Sequence, residues 1–221
     1  DRLGLPDTVG VATPSTVIER VAALRERYPQ MDFEGHFHED RGFSLVNSLE
    51  AVRGGVRFMN TTVLGIGERC GNVAMDQLMI NLHLMGFPKG DLSGLPALAG
   101  RVAELCGVEI PANYPVLGQD AFRTGTGVHA AAIVKALHRG DVELADAVYS
   151  GVPAALVGRR QEIEIGPLAG HSNVVYWLEK RGIAATDGRP MSEGSQAILL
   201  FEDDVIATNH RSRVLAEADV R

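Results

Sequence analysis

Two histidines separated by one residue, His36 and His38, are the strongest candidates for chemistry in this sequence. They lie at the C-terminal end of a predicted strand, residues 31–38. Alternate residues of a strand project from the same face, so both imidazoles point to one side. Neutral imidazoles are common ligands of divalent metals. The pattern leaves two interpretations open, a metal site and two incidental histidines on a half-buried strand.

A glycine-rich segment, Gly65–Asn72, follows the next predicted strand and precedes a predicted helix. Its three glycines allow the backbone to approach neighbouring groups closely. Asn72 could supply an oxygen ligand that completes a metal site, or it could cap the helix. Glu68 and Arg69 could pair with each other or with a charged ligand.

The segment Asp7–Gly10 ends the first predicted strand. Ligands of parallel α/β folds bind at the carboxyl ends of the strands. Thr8 is therefore a candidate ligand-binding hydroxyl, and its alternative role is to satisfy backbone groups of the loop.

Alternating strands and helices must position these residues. Hydrophobic periodicity predicts strands at 2–9, 31–38 and 56–64 and helices at 16–28, 43–53 and 73–85, the first capped by Thr16. Repeated βα units indicate parallel strands, in either a (β/α)8 barrel or a doubly wound sheet. Beyond a Pro/Gly-rich connection near residue 87 the pattern is mostly helical, at about 95–107, 127–139, 141–148, 172–181 and 193–218. We predict two domains, residues 1–87 and 88–221.

The composition excludes several classes of protein. The 221 residues carry a formal net charge of -7, which argues against a nucleic-acid partner. Cys70 and Cys106 form no CxxC pair, so a reducing compartment is expected. No apolar run approaches the length of a membrane span, and the N-terminus lacks the pattern of a signal peptide. We expect a cytoplasmic protein without a membrane partner.

Taken together, the motifs resemble one family. "DTVG", "HFHED…VNSLEAV" and "NTTVLGIGERCGN" are similar, in order and spacing, to strands six, seven and eight of the barrel of the 2-isopropylmalate and homocitrate synthases. Two later segments, residues 113–136 and 148–178, resemble the linker subdomain of these synthases. The resemblance implies an α/β fold, the C-terminal part of a (β/α)8 TIM barrel followed by a mostly helical linker subdomain, within a longer protein.

The resemblance also implies an acyltransferase of amino-acid biosynthesis, such as that of leucine. It would condense acetyl-CoA with a 2-oxo acid to give a 2-hydroxy dicarboxylic or tricarboxylic acid and CoA. By motif, His36, His38 and Asn72 would hold a divalent metal (Mg, Mn or Zn), and Thr8 would bind the substrate carboxylate. The family's metal-binding Asp, its Arg and its Glu base have no counterpart, so we expect no turnover from this chain alone.

His129 and Tyr149 match two further residues of the family, which lie near the reacting thioester. They are often donated by the partner subunit, so the resemblance implies a homodimer. Without the resemblance, His129 would be interpreted as a surface residue of a helix. A histidine suits acid–base catalysis because its imidazole exchanges a proton near neutral pH.

Two positions depart from the family pattern. Glu39 and Arg41 stand where the family usually has Asn and an apolar or aromatic residue. They could pair with each other or alter which oxo acid fits. Two alternative functions stay open: a hydroxyacyl-CoA lyase or aldolase of the same superfamily, which the linker motifs disfavour, and a non-catalytic truncated subunit that pairs through exposed sheet edges.

Overall fold

The structure, a computed structural model, describes residues 2–87, 90–166 and 168–183. Contacts divide the chain into two units, Asp1–Pro111 and Ala112–Arg221. The first unit contains, in order, β1 (Arg2–Asp7), α1 (Pro14–Arg27), β2 (Asp32–Phe37), α2 (Ser44–Arg53), β3 (Phe58–Asn60), α3 (Met75–Leu84) and α4 (Leu95–Cys106). The second contains β4 (Arg123–Thr124), α5 (Gly127–His138), α6 (Val142–Ala147), β5 (Glu162–Ile163) and α7 (His171–Lys180). The helix predicted at 193–218 lies outside the described residues.

The strands of the first unit form a parallel sheet in the order β1–β2–β3, and a helix follows each strand. In the central strand, Gly35 pairs with Leu5 on one side and Met59 on the other. Consecutive parallel strands joined through helices are the repeating unit of a TIM barrel. The predicted fold class, α/β with part of a TIM barrel followed by a mostly helical subdomain, is confirmed.

One face of β2 is covered by helices. Phe33 and Phe37 are buried against Val17 and Val21 of α1 and Ala51 of α2. Burying a side chain of this size stabilises the fold by about 1.5–3 kcal/mol. Because side chains alternate along a strand, Glu34 and His36 project to the other face of the sheet.

The ends of two elements differ from the prediction. Thr13, not Thr16, caps α1: its hydroxyl accepts a hydrogen bond from the Thr16 amide, and Pro14 opens the helix. Proline is well suited to the first helical position because the amide it lacks has no partner there. β3 is shorter than predicted at both ends, and Leu64, within the predicted range, turns the chain with a φ of 58°. The buried carboxylate of Asp76 accepts the Leu64 amide at 2.8 Å and holds this turn.

The boundary between the two units lies after Pro111, whereas the sequence predicted a domain boundary after residue 87. α4, which the sequence placed in the second domain, contacts the short 3₁₀ turn Val63–Gly65 of the first unit. Among the described residues, no helix is long and apolar enough to cross a membrane.

The second unit is built around α5. Its buried residues Ala130, Ile133 and Val134 pack with Ala145 of α6 and Ile163 of β5. β5 pairs with β4 in parallel, a short sheet that the sequence did not predict. The guanidinium of Arg123, the first residue of β4, lies 3.0 Å from the carboxylate of Glu164, which follows β5.

Glu164 provides a test of this packing through pH. Burial raises the pKa of the Glu164 carboxyl above its usual value of 4.5, although the Arg123 charge opposes the shift. A raised folded-state pKa means that ionisation costs stability, so the stabilisation present below pH 4.5 is lost as pH rises through the folded-state pKa.

Glu164→Gln removes this ionisation. The unfolding free energy of the variant minus that of the wild type should therefore become more positive between about pH 4 and pH 7, by less than about 1 kcal/mol because water still reaches the group. Urea unfolding at several pH values measures the difference. A difference that stays constant or falls as pH rises would contradict the expectation.

Candidate functional site

His36 and His38 meet at the carboxyl end of β2. They project from the face opposite Phe33 and Phe37, and their Nε2 atoms lie 3.1 Å apart. Two nitrogen ligands about 2.1 Å from one cation would lie about 3.0–3.4 Å apart, depending on its geometry. This separation fits a shared divalent cation, and it equally allows a hydrogen bond between the two rings.

Asn72 lies beside this pair. The chain of Asn72 runs antiparallel to that of His38: the Glu39 amide donates to Gly71 and the Val73 amide to Phe37, at 3.0 and 3.1 Å. In such a non-hydrogen-bonded antiparallel pair the two Cα atoms lie about 4.5 Å apart, and their side chains share a face. The alternative role of Asn72 as a helix cap is excluded, because α3 begins after Ala74.

Two glycines make room for the Asn72 turn. A Cβ on Gly67 would lie 2.1 Å from the side-chain amide nitrogen of Asn72. A Cβ on Gly71 would lie 2.0 Å from the backbone carbonyl oxygen of Gly65. Gly71 also has a φ of 90°, which glycine adopts without strain. The glycines of this motif are therefore required by close packing around Asn72.

The residues at this point fit a divalent metal ion. The Asn72 Oδ1 atom is buried without a hydrogen-bond partner among the described residues. An amide oxygen with two imidazole nitrogens is a donor set that suits Mn or Zn, and less strongly Mg. Asn72 is the third candidate donor because it pairs with His38 and its Oδ1 has no other partner among the described residues.

Thr8 lies at the tip of the turn that follows β1. The Asp7 carboxylate shapes this turn by accepting the amides of Val11 and Ala12, each at 3.0 Å. Thr8 itself is exposed. Its backbone carbonyl accepts a hydrogen bond of 2.8 Å from the Arg69 guanidinium.

Arg69 joins the three strand ends, a role that the sequence did not reveal. Its Nε and Nη2 atoms donate to the two oxygens of Asp40 at 2.8 and 3.0 Å, whereas Glu68 lies 3.9 Å away. The hydrogen bonds between the two side chains lower the pKa of the Asp40 carboxyl and raise the pKa of the Arg69 guanidinium. Asp40, and not Glu68, is therefore the main charged partner of Arg69 among the described residues.

The two departures from the family pattern have separate structural roles. Glu39 accepts hydrogen bonds from the backbone amide and the hydroxyl of Ser44, so it satisfies an amide at the start of α2. Burial raises the pKa of Glu39, and the Ser44 amide opposes that shift. Arg41 donates to the Val11 carbonyl at 3.0 Å. The possible pairing between Glu39 and Arg41 is wrong, because both are engaged elsewhere.

His129 and Tyr149 lie together in the second unit. Their rings are stacked, with centroids 3.8 Å apart and planes 11° from parallel. His129 lies in the first turn of α5, where Gly127 is needed because a Cβ would lie 2.7 Å from the Gly170 Cα. Tyr149 follows α6 and is about half exposed, at 49%. Two residues that are distant in the sequence are thus brought into direct contact.

Fold and site together define the class of the protein. Parallel βα units carry the candidate residues at the carboxyl ends of their strands, which is where TIM-barrel active sites lie. Residues 1–100 match the family model described as HMGL-like.

Curated relatives extend the match beyond this region. The (R)-citramalate synthase of Aquifex aeolicus is 35% identical over 187 residues, which cover 83% of this chain and 34% of that protein. The homocitrate synthase AksA of Methanopyrus kandleri is 35% identical, over 83% of this chain and 44% of that protein. The probable 2-isopropylmalate synthase of Archaeoglobus fulgidus is 33% identical, over 85% and 36%. The chain therefore spans between about a third and a half of the length of these relatives.

Residues 1–100 belong to the HMGL-like family, and the chain is a relative of the citramalate, homocitrate and 2-isopropylmalate synthases. The family predicted from the sequence motifs is confirmed. Among solved structures, the HMG-CoA lyase of Bacillus subtilis is 29% identical, with a TM-score of 0.44 over 50% of this chain and 39% of that one.

Proposed function

We propose that this chain is part of a metal-dependent acyltransferase that condenses acetyl-CoA with a 2-oxo acid. The products would be a 2-hydroxy dicarboxylic or tricarboxylic acid and CoA. The relatives named as synthases support this reaction class. The observation that carries the proposal is the 3.1 Å approach of the His36 and His38 Nε2 atoms beside the unpartnered amide oxygen of Asn72.

In this proposal His36, His38 and Asn72 hold a Mg, Mn or Zn ion. When bound, such an ion acts as a Lewis acid that polarises the ketone of the oxo acid. The Thr8 hydroxyl binds the substrate carboxylate. This role suits its position, because it is exposed at the carboxyl edge of the sheet and bonds to none of the described residues.

We assign the thioester end of the reaction to His129 and Tyr149. A neutral imidazole can accept or donate a proton as the thioester reacts, and the stacked tyrosine ring restricts its orientation. In keeping with the family resemblance, we propose a homodimer in which these residues serve the partner's site. We further propose that the protein works in the cytoplasm, where its free cysteines Cys70 and Cys106 would stay reduced.

The test is an assay of thiol release from acetyl-CoA, with the protein in its full natural length. Manganese or magnesium is added, and 2-oxoisovalerate, 2-oxoglutarate and pyruvate are offered in turn. We expect release with one acid, and a loss of about 10²–10⁴-fold in His129→Ala if it serves in proton transfer. His36→Ala should abolish release, because one imidazole cannot replace two. His138→Ala is the matched control, since this exposed histidine on the same helix pairs with Glu179.

Two results would contradict the proposal. Release that is unchanged in His36→Ala would mean that the histidine pair does not serve the reaction. No release with any acid, together with cleavage of a hydroxyacyl-CoA, would instead establish a lyase of the same superfamily.

A further inference from the structure

The geometry of Arg69 is unusual for a surface arginine. It adopts the left-handed backbone conformation, with a φ of 55°, which costs a residue with a side chain about 1–2 kcal/mol. In this conformation the guanidinium makes a two-point contact with Asp40 and a third bond to the Thr8 carbonyl. Strained residues of this kind persist where the surrounding contacts determine them, and they are concentrated at functional sites.

The candidate metal donors do not depend on Arg69 for their position. Backbone hydrogen bonds from Glu39 to Gly71 and from Val73 to Phe37 already hold the chain of Asn72 against that of His38. The residues that follow the turn after β1 are also fixed without Arg69. The Arg41 side chain donates to the Val11 carbonyl, and the Asn47 side chain donates to the Ala12 carbonyl.

Thr8 is different. Among the described residues, the Arg69 guanidinium is its only side-chain contact by hydrogen bond. Asp40 lies in the loop that follows His38. Its carboxylate holds the guanidinium by accepting hydrogen bonds from Arg69 Nε and Nη2. The sheet fixes the start of this turn, because Asp7 pairs with Phe37 of β2. Beyond Asp7, Arg69 ties the Thr8 carbonyl to the loop that follows His38.

We propose that Arg69 is the positioning residue that holds Thr8 at a fixed distance from the metal ligands, so that one carboxylate ligand can reach both. This inference rests on the proposed function of the site. A planar guanidinium is needed, because an ammonium cannot form the two parallel bonds to Asp40 while also reaching the Thr8 carbonyl. Arg69→Lys should therefore keep the charge and lose the geometry.

The test measures binding, not turnover, on the protein in its full natural length. Co²⁺ is titrated first, with its visible absorption reporting the ligands, and oxalate is then titrated into the Co²⁺-loaded protein as a two-oxygen probe. We expect Arg69→Lys to bind Co²⁺ within about threefold of wild type and to bind oxalate at least about tenfold more weakly, as for a lost hydrogen bond to a charged group. The double variant with Thr8→Ala should bind oxalate no more weakly than Thr8→Ala alone.

Arg57→Gln is the matched control. Arg57 also joins β2 and β3 through an exposed contact with an aspartate, Asp32, but at the opposite end of the strands. It should leave both affinities unchanged, and thermal unfolding of all variants shows whether Arg69→Lys is folded to the same extent.

The outcomes separate the two proposals. If His36→Ala abolishes Co²⁺ binding while Arg69→Lys binds oxalate like wild type, the positioning role is wrong and the metal site stands. An equal loss of Co²⁺ and oxalate affinity in Arg69→Lys, or additive losses in the double variant, would also overturn it. If the full-length wild-type protein binds no Co²⁺, or binds it as tightly as His36→Ala does, the metal site fails and the positioning role fails with it.

Discussion

Replacing Asn173 by alanine is expected to destabilise the second unit by about 3 kcal/mol. Asn173 is completely buried in the first turn of α7. Its amide nitrogen donates to the carbonyls of Gly125 and Glu164, and its Oδ1 accepts the Gly170 amide. Alanine would leave three partly buried backbone groups without these partners, and a buried unsatisfied group costs about 1–3 kcal/mol.

Two further variants make this expectation specific. Asn173→Asp keeps an acceptor for Gly170 but directs a carboxylate at two carbonyl oxygens, so it should be at least as destabilising as alanine. Asn113→Ala, at an exposed loop position of the same unit, should change the unfolding free energy by less than about 0.5 kcal/mol. Denaturant unfolding measures all three, and a loss below 1 kcal/mol in Asn173→Ala would show that the network is not needed.

Gly67→Ala is expected to weaken metal binding by about 10- to 100-fold while leaving the chain folded. The backbone of Gly67 has no positive φ, so alanine is compatible with it. The new Cβ would, however, lie only 2.1 Å from the side-chain amide nitrogen of Asn72, which is far inside contact distance. The amide would have to rotate away, which removes the third candidate donor and leaves His36 and His38 in place.

Gly71→Ala should behave differently, because its Cβ would meet the Gly65 carbonyl at 2.0 Å and the backbone there cannot rotate away. We expect this variant to lose stability as well as metal affinity. Gly100→Ala is the control, since a Cβ on that residue of α4 meets nothing within 4 Å. Co²⁺ titration with thermal unfolding distinguishes these cases, and unchanged Co²⁺ affinity in Gly67→Ala would remove Asn72 from the site.

The sequence determined the helices of the barrel part closely, since α2 and α4 differ from their predicted ranges by one residue. Their apolar periodicity is a local property, and Gly54-Gly55 and Gly107 mark their ends. The N-cap of α1 was placed three residues late, because Thr13 and Thr16 both suit an N-cap and the choice depends on Pro14 at the first helical position. The short strands β4 and β5 carry too few residues for any periodicity to show.

For the candidate site, the sequence alone determined the residue types: the histidine pair, Asn72, Thr8, His129 and Tyr149 all follow from motifs. Strand alternation even determined that His36 and His38 share a face, because that is a consequence of backbone geometry. Only the tertiary structure decided which side chains meet across the fold. Arg69 reaches Asp40 and Thr8, which lie 29 and 61 residues away in sequence, and Glu39 turns to α2 instead of Arg41. Such partners depend on how separate strands are set side by side, which no local pattern encodes.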